Sequence, residues 1–157
     1  METIHFVKTE EISEKTDRLF ETEKAKLSDL FRHADIQHIG STSVPGTISK
    51  GDLDINIRVP QTDFDVTAEK LKTIYQINQF HNWTASFASF KDDSRDLGVQ
   101  LTAIGSSDDC FVTQRDYLRA HPEKVAELNQ LKEKFEGKSM EEYRKEKDVF
   151  FEGLIKE

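Results

Sequence analysis

The chain has 157 residues, 30 of them acidic and 22 basic, for a formal net charge of −8. That length gives one ordinary domain with a real core, and an acidic balance of this kind repels a phosphodiester backbone, so extended nucleic-acid binding is not expected. With one cysteine (Cys110), no apolar run near the roughly 20 residues that span a bilayer, and an acidic N-terminal stretch (Glu2, Glu10, Glu11, Glu14) unlike a signal peptide, the expectation is a cytoplasmic protein without disulfides or a membrane partner.

In chain order, the first ~35 residues predict a helix, with Ile12, Leu19, Phe20, Leu27, Leu30 and Phe31 at helical spacing. Ile36 to Gly40 predicts a short strand, Pro45-Gly46 a turn, and Val44 to Ser49 a helical turn. Asp52 to Val59 alternates polar and apolar residues, the pattern of a strand with one buried face, and Pro60 ends it. Phe64 to Tyr75 predicts an amphipathic helix through Phe64, Ala68, Leu71 and Ile74. Trp83–Phe90 and Val99–Ile104 predict antiparallel strands joined by the polar turn Lys91–Asp96. Asp109–Ala120 and Pro122–Phe135 predict two helices, with Pro122 in a first turn; Gly137 closes the second, and Ser139 is placed to cap a last one. One α+β domain follows, a mixed or antiparallel sheet flanked by helices with a C-terminal helical segment.

The chemistry concentrates in residues 38–57. Asp52 and Asp54 are two apart on the predicted strand, so they project to one side, roughly 7 Å apart at their backbones, while Leu53, Ile55 and Ile57 project to the other. Two carboxylates so placed converge on one hard cation. Ten residues upstream, Gly40-Ser41-Thr42-Ser43 offers backbone N–H groups and hydroxyls suited to phosphate oxygens. Acidic residues are depleted from strands, which favours a site over two solvent-facing edge residues. The stretch is not a P-loop, because Gly46 is not followed by the required Lys-Ser/Thr pair.

The run His38-Ile39-Gly40-Ser41-Thr42-Ser43-Val44-Pro45-Gly46 followed by Leu53-Asp54-Ile55 resembles the GrpB family of small bacterial proteins. Arg115-Asp116-Tyr117-Leu118-Arg119-Ala120-His121-Pro122 matches a second family motif, Leu131-Lys132 a third, and the resemblance covers roughly residues 8 to 155. It implies a fold of the DNA polymerase beta-like nucleotidyltransferase superfamily, in which a Gly-Ser turn holds triphosphate oxygens and an acidic pair binds magnesium or manganese. Carried over, Gly40 and Ser41 hold phosphate, Thr42 and Ser43 add hydroxyl contacts, Asp52 and Asp54 are the catalytic metal ligands, and Lys50 meets a phosphate or offsets the acids. The chain departs from the family at Gly98-Val99-Gln100-Leu101-Thr102, where HLHVV is usual; Gln100 is expected to face the site, and Asp96 is the nearest alternative carboxylate.

Arg115 and Arg119 share a helical face, as a phosphate clamp that His121 would assist or as surface ion pairs with Asp116 and Glu123. His38 is expected to pack or hydrogen-bond at the strand end, with lining of the ligand pocket as the alternative; His5, His33 and His81 are expected at the surface, and Trp83, Phe87, Phe90 and Cys110 in the core. The leading functional expectation is a protein that binds a nucleoside triphosphate or other phosphorylated small molecule with magnesium and transfers a nucleotidyl group. The alternatives are a non-catalytic nucleotide- or coenzyme-binding module and a structural interaction protein.

Overall fold

Alternation in residues 52–59 produces strand geometry because one side of the strand is apolar throughout, and that strand lies inside the sheet, paired on both edges. The computed structural model describes residues 4–155. Strand β1 (Val7–Lys8) leads into helix α1 (Thr9–Leu30), followed by β2 (Asp35–Ile39), β3 (Ile48–Ser49), β4 (Leu53–Val59) and α2 (Gln61–Leu71). Then come β5 (Gln76–Ile77), β6 (Phe87–Asp92), β7 (Leu97–Ala103) and helices α3 (Phe111–Ala120), α4 (Pro122–Lys134) and α5 (Met140–Gly153). Five strands form one sheet in the order β2-β4-β7-β6-β5, and β1 pairs with β3 in a separate ribbon. Among the described residues only β4 and β7 run parallel; the other pairs are antiparallel, so the sheet is mixed as expected for the α+β class.

The sheet has two unlike faces. On one, Leu53, Ile55, Ile57, Val99, Leu101 and Phe90 are buried against Phe20 and Leu27 of α1 and Phe64 and Leu71 of α2. The register aligns Asp54, Asn56 and Arg58 with Gly98, Gln100 and Thr102 on the opposite face. That face is polar, and the C-terminal helices lie on its side of the sheet. They carry a second apolar cluster, Val44, Leu118, Val125, Leu128 and Leu154, and a third around Ile4, Phe135 and Tyr143. Arg58 ties the face together: it donates two bonds of 2.8 Å to Asp109, just before α3, and one of 2.6 Å to Asp35 on β2.

Several elements differ from expectation. Helix α1 stops at Leu30, which is 44% exposed, and its buried stripe is Thr9, Thr16, Phe20, Glu23 and Leu27. Glu23 is tolerated there because it accepts a 2.5 Å bond from the Tyr75 hydroxyl and another from Arg95. Burial works against its charge, but those two bonds outweigh it and hold the carboxyl below its usual range. The turn expected at Val44–Ser49 lies earlier, as a 3₁₀ turn over Ser41–Ser43, while Ile48 and Ser49 pair with Lys8 and Val7. Helix α2 begins directly after Pro60 and ends before Tyr75. Strand β6 begins at Phe87, because Gln79 adopts a left-handed conformation (φ 45°) and a 3₁₀ turn over Phe80–Asn82 precedes Trp83. Trp83 and Phe90 still join the main core, but Phe87 sits on the polar face, its ring 6.0 Å from that of Phe111.

Candidate functional site

A cavity of about 510 Å³ opens where the polar face meets the C-terminal helices. Gly40, Ser41, Lys50, Asp52, Asp54, Gln100 and Arg115 line it, so most of the sequence-predicted residues are brought together. Ile39, Val44, Phe111, Leu118, Leu128 and Phe151 add apolar surface, and Lys132, Tyr143, Lys147, Asp148 and Glu152 bring further polar and charged groups to the wall.

The acidic pair is shaped by two glycines. Gly40 adopts φ 75°, a left-handed conformation that favours glycine, and a Cβ there would collide with Oδ2 of Asp54. From the other side, a Cβ on Gly98 would lie 2.6 Å from Oδ1 of the same carboxylate. Asp54 thus occupies a slot that two missing side chains create. Burial pushes its carboxyl up to about 6, with Asp52 adding to the shift and Lys147, Lys50 and Lys132 opposing it. Asp52 precedes β4, is 40% exposed, and lies 3.6 Å from Nζ of Lys50.

The 40–49 loop is gripped from three helices. From α1, Thr9 shares a 2.7 Å bond with Thr47, whose hydroxyl contacts the Ser41 and Val44 carbonyls at 2.6 and 2.9 Å. From α3, Arg119 donates two bonds, 2.9 and 2.8 Å, to the Ser43 carbonyl. From α4, Asn129 donates to the Gly46 carbonyl at 2.7 Å and accepts from the Ile48 N–H at 3.0 Å. Lys132, 1% exposed, donates to the Ser41 hydroxyl and, at 2.6 Å, to the Ile48 carbonyl. Burial presses its ammonium down to about 7, and Lys147 and Lys50 act in the same direction.

Other expected residues hold the site from outside rather than lining it. Thr42 is buried, bonded to His38 at 2.9 Å and to the Asp52 carbonyl at 3.2 Å, and the Ser43 hydroxyl donates to the Gly40 carbonyl at 2.5 Å. His38 packs at the strand end as expected, stacked 5.2 Å from Phe20, and burial lowers it to about 4. His121 stacks on Tyr117 at 3.9 Å and bonds to its carbonyl, away from the cavity. Arg115 lines the cavity but is engaged by Gln37 at 2.8 Å, the His38 carbonyl at 2.9 Å and Asp116 at 3.0 Å. Arg115 and Arg119 therefore act on different groups, one on the strand end and one on the loop. Asp96 is exposed in a left-handed turn and does not line the cavity. Cys110 is half-buried in the cavity wall rather than in the core.

Sequence reasoning missed Gly98, Tyr143 and Lys147, and saw Lys132 only as part of a matching dipeptide. The available signal was a lysine in register with an apolar stripe. Lys132 follows Val125 and Leu128 on the buried face of α4, and Lys147 follows Tyr143 by four on α5. The Lys147 ammonium sits 5.5 Å from the Tyr143 ring centroid, and burial lowers its pKa.

The family likeness implies magnesium or manganese at Asp52 and Asp54. These residues do not fit a two-ion site. Among the described residues no three His, Cys, Asp or Glu side chains converge. Lys50 already pairs with Asp52, and three ammonium groups bear on Asp54. The β7 position beside Asp54 is Gly98 and the next on that face is Gln100, so no third carboxylate comes from this strand. The Gln100 Oε1 and Asn56 Oδ1 atoms are buried without a hydrogen-bond partner among the described residues, two neutral acceptors on the polar face. No helix among the described residues is long and apolar enough to cross a membrane.

Comparison with known proteins gives one consistent result. The GrpB protein family model matches residues 7–157. A UPF0157 protein of Vibrio cholerae is 33% identical over 157 residues, covering 98% of this chain and 83% of that protein. The crystal structure of the conserved protein GrpB from Enterococcus faecalis superposes with a TM-score of 0.71 at 22% identity, covering 88% of this chain and 92% of that one.

Proposed function

The chain belongs to the GrpB family, and from that premise we propose that it is a cytoplasmic protein that binds a nucleotide or similar phosphorylated small molecule in the 39–152 cavity. The observation that carries this reading is that three lysines line the cavity that holds the Gly-Ser turn: Lys50 beside Asp52, Lys132 on the Ser41 hydroxyl, and Lys147 near the Tyr143 ring. Ammonium groups around backbone N–H groups and a hydroxyl suit phosphate oxygens. The apolar wall of Val44, Leu118, Leu128 and Phe151 supplies a surface for a base or another flat group. A volume of about 510 Å³ lies within the usual range for small-molecule sites.

Transfer of a nucleotidyl group is a second reading, favoured by Asp54. A carboxyl raised to about 6 is suited to take a proton from an attacking hydroxyl near neutral pH. The binding reading is tested by calorimetric titration with ATP, GTP, CTP and UTP, each with and without magnesium. A saturable heat with at least one of them is expected; none with any nucleotide in either condition ends the proposal.

A further inference from the structure

Nucleotide sites that employ an acidic pair meet the phosphates through divalent ions, which convert carboxylates into anchors for anions. Here the positions around the acids are filled differently. Lys50 approaches Asp52 at 3.6 Å. Lys132 donates to Ser41 and Ile48 and, in its protonated form, keeps a third N–H. Lys147 lines the same cavity, as do the Asp148 and Glu152 carboxylates, with the Tyr143 ring beneath it and no hydrogen bond or close ion pair to a described residue. Resting on the phosphate-binding reading above, we propose that Lys50, Lys132 and Lys147 take the place of divalent ions, so that the phosphorylated ligand binds as the metal-free anion.

The two mechanisms assign opposite signs to Asp54. In a metal-bridged site its charge holds the ion that holds the phosphate, so neutralising it weakens binding. In a lysine-lined site its charge repels the incoming phosphate and competes for the same ammonium groups, so neutralising it tightens binding. Magnesium is likewise expected to hinder: bound to ATP or pyrophosphate in solution, it withdraws the oxygens that the lysines would meet.

The test is calorimetric titration of ATP and of pyrophosphate into wild type, Asp54→Asn, Lys147→Gln and Lys147→Arg, in EDTA and in excess magnesium. Thermal melts establish that each variant is folded. Pyrophosphate carries no sugar or base, so its response reports the phosphate subsite alone. Expected are wild-type binding in EDTA at least as tight as in magnesium, tighter binding by Asp54→Asn, and about a tenfold loss in Lys147→Gln that Lys147→Arg restores. Binding that requires magnesium, or that Asp54→Asn weakens, overturns the inference while leaving the phosphate reading intact. Absence of binding by every ligand in both conditions removes the phosphate reading and this inference with it.

Discussion

Replacing Asp54 by Asn should stabilise the protein, by an amount that depends on pH. The Asp54 carboxyl has a folded-state value of about 6 against an ordinary 3.8. Its folded form therefore binds a proton more tightly than its unfolded form. The stability this brings is complete below the unfolded value and is lost as pH rises through the folded one. At 1.36 kcal/mol per unit, the shift corresponds to about 3 kcal/mol of destabilisation at pH 7.5, about 1.5 kcal/mol at pH 5, and nearly nothing at pH 3.5. Asparagine has nearly the shape of the neutral acid and no charge to bury, so the variant escapes this cost. For a chain of this size the neutral-pH gain is about 6–12 °C in Tm. The assay is the difference in melting temperature or urea midpoint between variant and wild type across pH 4 to 7. Taking the difference cancels slopes from carboxylates held low, such as Glu23 and Asp109. Lys132, pressed down to about 7, contributes its own slope above that pH, where its unfavourable charge is released; the lower window belongs to Asp54. A difference that stays constant with pH, or a variant less stable than wild type at neutral pH, would refute the burial argument.

Three further outcomes are expected. Gly98→Ala, whose Cβ would lie 2.6 Å from the Asp54 carboxylate, should cost about 1–3 kcal/mol by urea unfolding; adding Asp54→Ala should recover most of it, and additive losses would disprove the contact. Arg119→Met removes both bonds to the Ser43 carbonyl and should cost about 1.5–3 kcal/mol, with faster amide exchange confined to residues 40–49 as its signature. Arg58→Leu leaves Asp109, 6% exposed, without its bidentate partner and should cost about 3 kcal/mol or more near neutral pH. Since Arg58 holds the Asp109 carboxyl below its usual 3.8, the stability it brings is present above that value and is lost below it, so the deficit should shrink only as pH falls under about 4, which a pH series of urea midpoints will register.

The fold was legible where periodicity and burial coincide. Residues 53–59 alternate because one face meets α1 and α2, and the C-terminal helices carry stripes such as Val125 and Leu128 that pack as their spacing implies. The site was legible where backbone chemistry restricts the residue type, as at Gly40 with its positive φ. What escaped was long-range. Nothing in Gly98 alone announces that its missing side chain makes room for Asp54 from another strand. Lys132 and Lys147 look like solvated helix residues until the helices are laid over the polar face. Glu23 was hidden for the same reason, since its partners Tyr75 and Arg95 lie far along the chain. Arg119 and His121 belong to a motif visible in the sequence, yet their partners are a loop carbonyl and a neighbouring ring.

The parallel pairing of β4 with β7 has a consequence for how the chain comes into being. Asp54 leaves the ribosome 44 residues ahead of Gly98, its neighbour in register. It precedes Lys147, the last of the three lysines, by 93 residues. At usual synthesis rates that is roughly 5–20 s during which the carboxylate is hydrated and ordinary in its acidity. The sheet and its apolar core can close in that interval, because α1, α2 and β7 all emerge before α4 and α5. The cavity wall is completed last in any case, since Tyr143, Lys147 and Phe151 belong to the final helix to be made.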